Sequence, residues 1–166
     1  MRILHLSTTD DGGAGRACVR LHTALLKNGV DSILLVQNKK GDSIQTIRLA
    51  QSKLQKLIEK LRPALSALPL MLYPKRHKDI FSPNLAFFPP RNKTLLKTIT
   101  KLKPDVIHLH WIESGFINAS DLRAISKLGI PMMWSLHDAN PYTGGCHNIA
   151  APNVGGSVAF KKIPRQ

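Results

Sequence analysis

Apolar positions along the chain fall into short continuous runs that alternate with helical spacings. Ile3, Leu4 and Leu6 predict a strand over Arg2 to Leu6, which breaks into the polar stretch STTDDGGAG before a helical pattern over Arg16 to Lys27. Within that pattern Ala17, Leu21, Ala24 and Leu25 recur at steps of three and four, predicting one apolar face toward a sheet, and Gly29 marks the stop. Ile33 to Val36 reads as a second strand, and Ile44 to Leu49 as a third, half-polar one. Gln51 to Leu61 places Leu54, Leu57, Ile58 and Leu61 on one helical face and Lys53, Lys56 and Lys60 elsewhere; Pro63 is expected to interrupt it.

After a proline-rich stretch, a helix over Thr94 to Leu102 leads to Val106 to Leu109, whose apolar run, broken by His108 alone, predicts a central strand buried on both faces. Asn118 or Ser120 then caps a helix with Leu122, Ile125 and Leu128 inward, Gly129 ends it, and Met132 to Leu136 forms the last strand. Strands alternating with helices predict an α/β fold: a single Rossmann-like domain, its parallel sheet flanked by helices.

Parallel strands gather their ligand-facing groups at their carboxyl ends. His108 near the end of one strand, with His110 and Trp111 after it, and His137 and Asp138 at the end of another are therefore expected on one rim. His137 is the best candidate donor to a polar ligand, because it stands where a strand runs out into a loop containing Tyr142. Strand, glycine turn and helix is also a phosphate-cradling order, supplied here by Gly12, Gly13 and Gly15. The spacing is G-x-G-x-x-C, without the third glycine of a dinucleotide fingerprint and without an acidic residue after the second strand, which argues against a nicotinamide dehydrogenase. No Gly-Lys-Ser/Thr ending points to ATP hydrolysis. The histidines, with Asp138, Cys146 and His147, lack metal-site spacing, so no metal is expected.

Charge changes the picture in one place. Lys39 to Lys103 holds fifteen lysines and arginines against Asp42, Glu59 and Asp79, most of the net +14, so a phosphate-rich partner such as an anionic membrane surface is expected there. Phe81, Phe87 and Phe88 lie among these basic residues, but no nucleic-acid motif accompanies them and nucleic acid is set aside. Two cysteines are too few for a disulfide framework, and no run approaches the ~20 apolar residues of a membrane span. A cytoplasmic protein, peripheral at the inner membrane face, is the expectation.

MRILHLSTTDDGGAGRACVRLHTALLKNGVDSILLVQ, PDVIHLHW and WSLHDANPYTGGCH together resemble the amino-terminal domain of family 4 glycosyltransferases, retaining enzymes of the GT-B fold. The resemblance implies one half of a two-domain enzyme in which a nucleotide-sugar is the donor substrate, no separate cofactor is used, and a sugar or lipid-linked acceptor binds this half. It implies that Gly12, Gly13 and Gly15 approach the donor diphosphate, that His137 faces the transferred sugar as the catalytic group, and that His110, Trp111, Asp138 and Tyr142 contact substrate. In the family a carboxy-terminal domain with paired glutamates carries most of the donor site. The resemblance covers Met1 to His147 apart from the basic middle, so the domain is expected over residues 1–148, with a basic excursion at about 39–93 and an irregular tail, 149–166. The expectation is a truncated fragment, inactive without its missing carboxy-terminal domain. The alternative is a non-catalytic module that binds a phosphorylated or sugar-bearing ligand or a partner protein.

Overall fold

The computed structural model describes residues 1–68, 72 and 90–143. Its elements run β1 (Arg2–Thr9), α1 (Gly12–Lys27), β2 (Asp31–Asn38), β3 (Thr46–Arg48), α2 (Lys53–Ala67), α3 (Lys93–Leu102), β4 (Val106–Leu109), α4 (Ala119–Ser126), β5 (Met132–Trp134) and the single turn α5 (Asn140–Thr143). All strand pairs are parallel, in the order β3-β2-β1-β4-β5. The result is the single α/β domain that the alternating runs predict. The strand order reverses between β1 and β4, where ligands collect in open parallel sheets. Among the described residues β1, not β4, is the central strand, because β4 has only the three-residue β5 beyond it.

The two faces of the sheet are chemically unlike. Alternation along each strand sends Leu4, Leu6, Leu35, Ile107 and Leu109 to one side, where they pack with Leu95, Ile99, Phe116 and Ile125 in the main core. The opposite positions carry His5, Ser7, Ser32, Leu34, Val36 and His108, and α1 covers them with Cys18 at the centre of a small cluster.

Two helices, α1 and α2, turn unexpected sides inward. On α1 the buried residues are Gly15, Cys18 and His22, while Leu21 is exposed. Two local contacts set that rotation. A Cβ on Gly15 would stand 2.6 Å from the Thr9 carbonyl oxygen, so the backbones of α1 and β1 meet there. The His22 ring is held by Ser32 Oγ and by the Ile44 carbonyl, each at 2.7 Å. Gly12 and Gly13 also belong to the first turn of α1, rather than to a loop before it.

On α2 the predicted apolar face, Leu54, Leu57, Ile58 and Leu61, is exposed, and Glu59 and Arg62 are the buried residues. Arg62 decides this. Its Nε donates to the Gly115 carbonyl at 2.6 Å, its Nη1 donates to the Pro90 carbonyl at 3.1 Å, and its Nη2 lies 3.7 Å from the wholly buried Asp121. Asp121 also accepts backbone N–H bonds from Asn92 and Asn118, the caps of α3 and α4. One ion pair thus ties three helices together. Asn118, rather than Ser120, caps α4, and Leu128 beyond it is partly exposed. Pro63 does not end α2: the Glu59 carbonyl, which loses its helical partner at Pro63, accepts instead from Gln37 Nε2 at 3.4 Å.

β5 stops at Trp134 and is exposed along its length, so the run to Leu136 is shorter as a strand than expected. Among the described residues no helix is long and apolar enough to cross a membrane. Phe81, Phe87, Phe88, Cys146, His147 and the predicted tail lie outside the described residues.

Candidate functional site

Register brings the carboxyl ends of β1, β4 and β5 to one edge, with His5 opposite His108 and Leu109 opposite Trp134. The chain leaving β4 is pinned across that edge: Thr8 N donates to the Trp111 carbonyl at 2.7 Å and Thr8 Oγ1 to the Glu113 carbonyl at 2.8 Å. Trp134 Nε1 donates to the His110 carbonyl at 2.9 Å, which fixes β5 against the same loop. Beneath these braces opens a cavity of about 200 Å³, lined by His110, Trp111, Glu113, Trp134, His137 and Asp138, with Ile112 and Leu122 supplying apolar wall. Aromatic walls with a few convergent polar groups suit a polar ligand that also has an apolar face.

Of the residues singled out in the sequence, His110, Trp111, His137 and Asp138 meet in this cavity. Tyr142 is half exposed and is not part of its lining. Nor are the glycines. Gly12 and Gly13 have open space where a side chain would be, at the start of α1 on the β1 side of the strand-order reversal, whereas Gly15 serves the close packing already described. Asp11 occupies the N-cap position of that helix, and its carboxylate lies 3.4 Å from Arg16 and 3.6 Å from Lys40. The Gly12 backbone N–H and these two cations hold Asp11 below the usual carboxylate range.

The sequence reading passed over Glu113, His5 and His22. Glu113 is buried and lines the cavity. His5 and His22 belong to a group of rings packed between α1 and the sheet, with His5 5.1 Å from His108 and 5.9 Å from His22 between centroids. His108 Nε2 is hydrogen-bonded to Ser135 Oγ at 2.8 Å. His5 Nδ1 lies 3.1 Å from His110 Nε2, and His110 Nδ1 lies 3.2 Å from His137 Nε2. An unbroken line of imidazoles therefore runs from the core to the cavity. Burial, reinforced by neighbouring rings, pushes His5 and His110 down to about 3, so both are neutral. His108 and His137 are also lowered by burial, with Asp138 pulling His137 the other way.

Among the described residues, His5, Cys18 and His110 are the group whose donor atoms could meet a metal, all within 4.8 Å of one another. The fit is poor. Both His110 nitrogens are already engaged with other imidazoles, and burial pushes the Cys18 thiol up to about 12, away from the thiolate a metal needs.

A family model described as Glycosyltransferase Family 4 matches residues 11–153. No curated protein and no solved structure matches the chain significantly.

Proposed function

The chain belongs to glycosyltransferase family 4, and from that premise we propose that its rim cavity is the acceptor-side wall of a sugar-transfer site. The observation that carries the reading is the meeting of His137, His110, Trp111 and Asp138 around one cavity at the carboxyl edge of a parallel sheet. An aromatic side chain can lie against the apolar face of a pyranose, and His137 and Asp138 suit its hydroxyls. Glu113 and Asp138 add carboxylates to the same wall, which favours positive charge developing at an anomeric carbon. Transfer from a nucleotide-sugar with retention, as in the enzymes this chain resembles, asks the protein for orientation and charge stabilisation rather than for a nucleophile. In this reading His137 faces the sugar, and the exposed first turn of α1 at Gly12 and Gly13 meets the donor diphosphate with a carboxy-terminal donor domain opposite.

The exposed stripe on α2 supports an acceptor presented at an anionic membrane. Leu54, Leu57, Ile58 and Leu61 form a continuous apolar strip, and the exposed Lys53, Lys56 and Lys60 follow along one flank. A helix of that kind lies flat at a lipid interface, its apolar side in the acyl boundary and its lysines at the headgroups. Flotation with phosphatidylglycerol vesicles tests this: the chain is expected to float, and Leu57→Ser with Ile58→Ser to stay behind.

Saturation-transfer NMR with nucleoside diphosphate sugars and free monosaccharides tests the cavity itself. Transfer to sugar protons is expected in the native chain and its loss in His137→Ala; no transfer from any of them refutes the assignment. A second reading, ligand binding without turnover, draws on the Asp11 carboxylate, which already engages the cations beside Gly12. Nucleotide release during incubation with the donor separates the two.

A further inference from the structure

We propose that His5 and His110 act as positioning residues, a one-way chain of imidazole N–H donors that holds His137 in its Nδ1–H tautomer. The tautomer rests on the geometry alone; what the resulting donor binds rests on the sugar-site reading above. A neutral imidazole has one N–H and one bare nitrogen, so a line of three can be polarised in only two ways. If every proton points inward, His137 Nε2 donates to His110 Nδ1, His110 Nε2 donates to His5 Nδ1, and His5 is left with its proton on Nε2. That nitrogen is buried and has no hydrogen-bond partner among the described residues, in a residue with no exposed surface. An orphaned buried N–H is among the rarest features of a folded protein. If every proton points outward, His5 Nδ1 donates to His110 Nε2 and His110 Nδ1 donates to His137 Nε2, across the same 3.1 and 3.2 Å contacts. His5 Nε2 then carries no hydrogen.

The far end of the chain favours the same direction. With Nε2 occupied by His110, the ring nitrogen left to His137 is Nδ1, and Asp138 stands next to it in the sequence and lines the same cavity together with Glu113. Two carboxylates on the wall favour an N–H there over a lone pair. His137 thus offers the cavity a fixed donor, suited to an acceptor oxygen of a sugar hydroxyl or phosphoryl group, and unsuited to removing a proton through that nitrogen. A residue in the core, on the first strand, would set the hydrogen-bonding sense of a group at the rim.

Long-range proton–nitrogen correlation NMR on the full chain labelled with nitrogen-15 histidine reads the tautomer directly. All three rings are expected to show the Nδ1–H pattern, with an excess of roughly tenfold or more at His137. A dominant Nε2–H pattern at His137 overturns the proposal. His110→Gln, with a second variant His110→Ala should the first fail to fold, is expected to release His137 to the tautomer mixture of a free imidazole; an unchanged His137 pattern in a folded variant also overturns it. Zinc added in stoichiometric amount is expected to leave the His5 and His110 signals in place. If it displaces them, the group around Cys18 is a metal site and the chain of donors is wrong. Failure to bind any nucleotide-sugar would sink the sugar-site reading while leaving the tautomer result intact.

Discussion

Mild acid is predicted to weaken this domain well before its carboxylates titrate. His5 and His110 are 0% and 3% exposed. Burial brings each from an ordinary 6.5 to about 3. A folded pKa below the unfolded one means that the unfolded chain binds more protons, so stability is intact above about 6.5 and drains away as pH falls toward 3. At pH 5 each imidazole costs about 2 kcal/mol relative to neutral pH, and the pair about 4, set against the ~5–15 kcal/mol that holds a typical domain together. His108, lowered by burial as well, adds in the same direction. Asp121 and Glu59 oppose it, because burial raises both carboxyls and their protonation favours the fold, but that contribution begins nearer the carboxylate range. Urea unfolding followed by tryptophan fluorescence is the assay, since both tryptophans, Trp111 and Trp134, line the cavity. Near pH 5 the slope of stability against pH should be about 2–3 kcal/mol per unit, the uptake of two protons on unfolding. A unfolding free energy that stays flat from pH 7 to pH 5 would refute the reasoning, for it would mean that the imidazoles are hydrated or charged in the native state.

Gly15→Ala should lower stability by about 1–3 kcal/mol in the same urea experiment, because its Cβ would meet backbone atoms of Thr9 and Asp10 at 2.6 and 2.8 Å, whereas Gly13→Ala, with nothing within 4 Å, should be neutral or slightly stabilising. Arg62→Ala should cost about 3–5 kcal/mol by leaving Asp121 buried without its cation, and Arg62→Met combined with Asp121→Asn should recover part of the loss; equal destabilisation by both would contradict the ion-pair account. Leu54→Lys should change the urea midpoint little, since that side chain is 67% exposed, and a large drop would mean that the stripe on α2 packs against something after all.

The order of strands and helices was legible because each element is short and its apolar run or spacing is local. The rim was legible for the same reason: once two strands are parallel, whatever follows each must share an edge, which is how His110, Trp111, His137 and Asp138 came together. Which side of a helix faces in was not legible, because apolar spacing assumes that the apolar side packs. On α1 the side was set by the close approach at Gly15 and by two hydrogen bonds to His22; on α2 it was set by Arg62 reaching Asp121, a partner 59 positions away. The line of imidazoles was hidden in the same way, by separations of 105 and 27 positions. His5, alone among leucines and isoleucine in β1, gives no local sign of its role, which exists only because β1 pairs with β4 in a register that sets it opposite His108 and within reach of His110. Polar groups buried on one face of this sheet therefore carry the information that hydrophobic pattern lacks. Each buried histidine demands a partner: His22 finds Ser32 and His108 finds Ser135, while tracing the demand of His5 through His110 to His137 leads to the cavity without any appeal to apolar spacing.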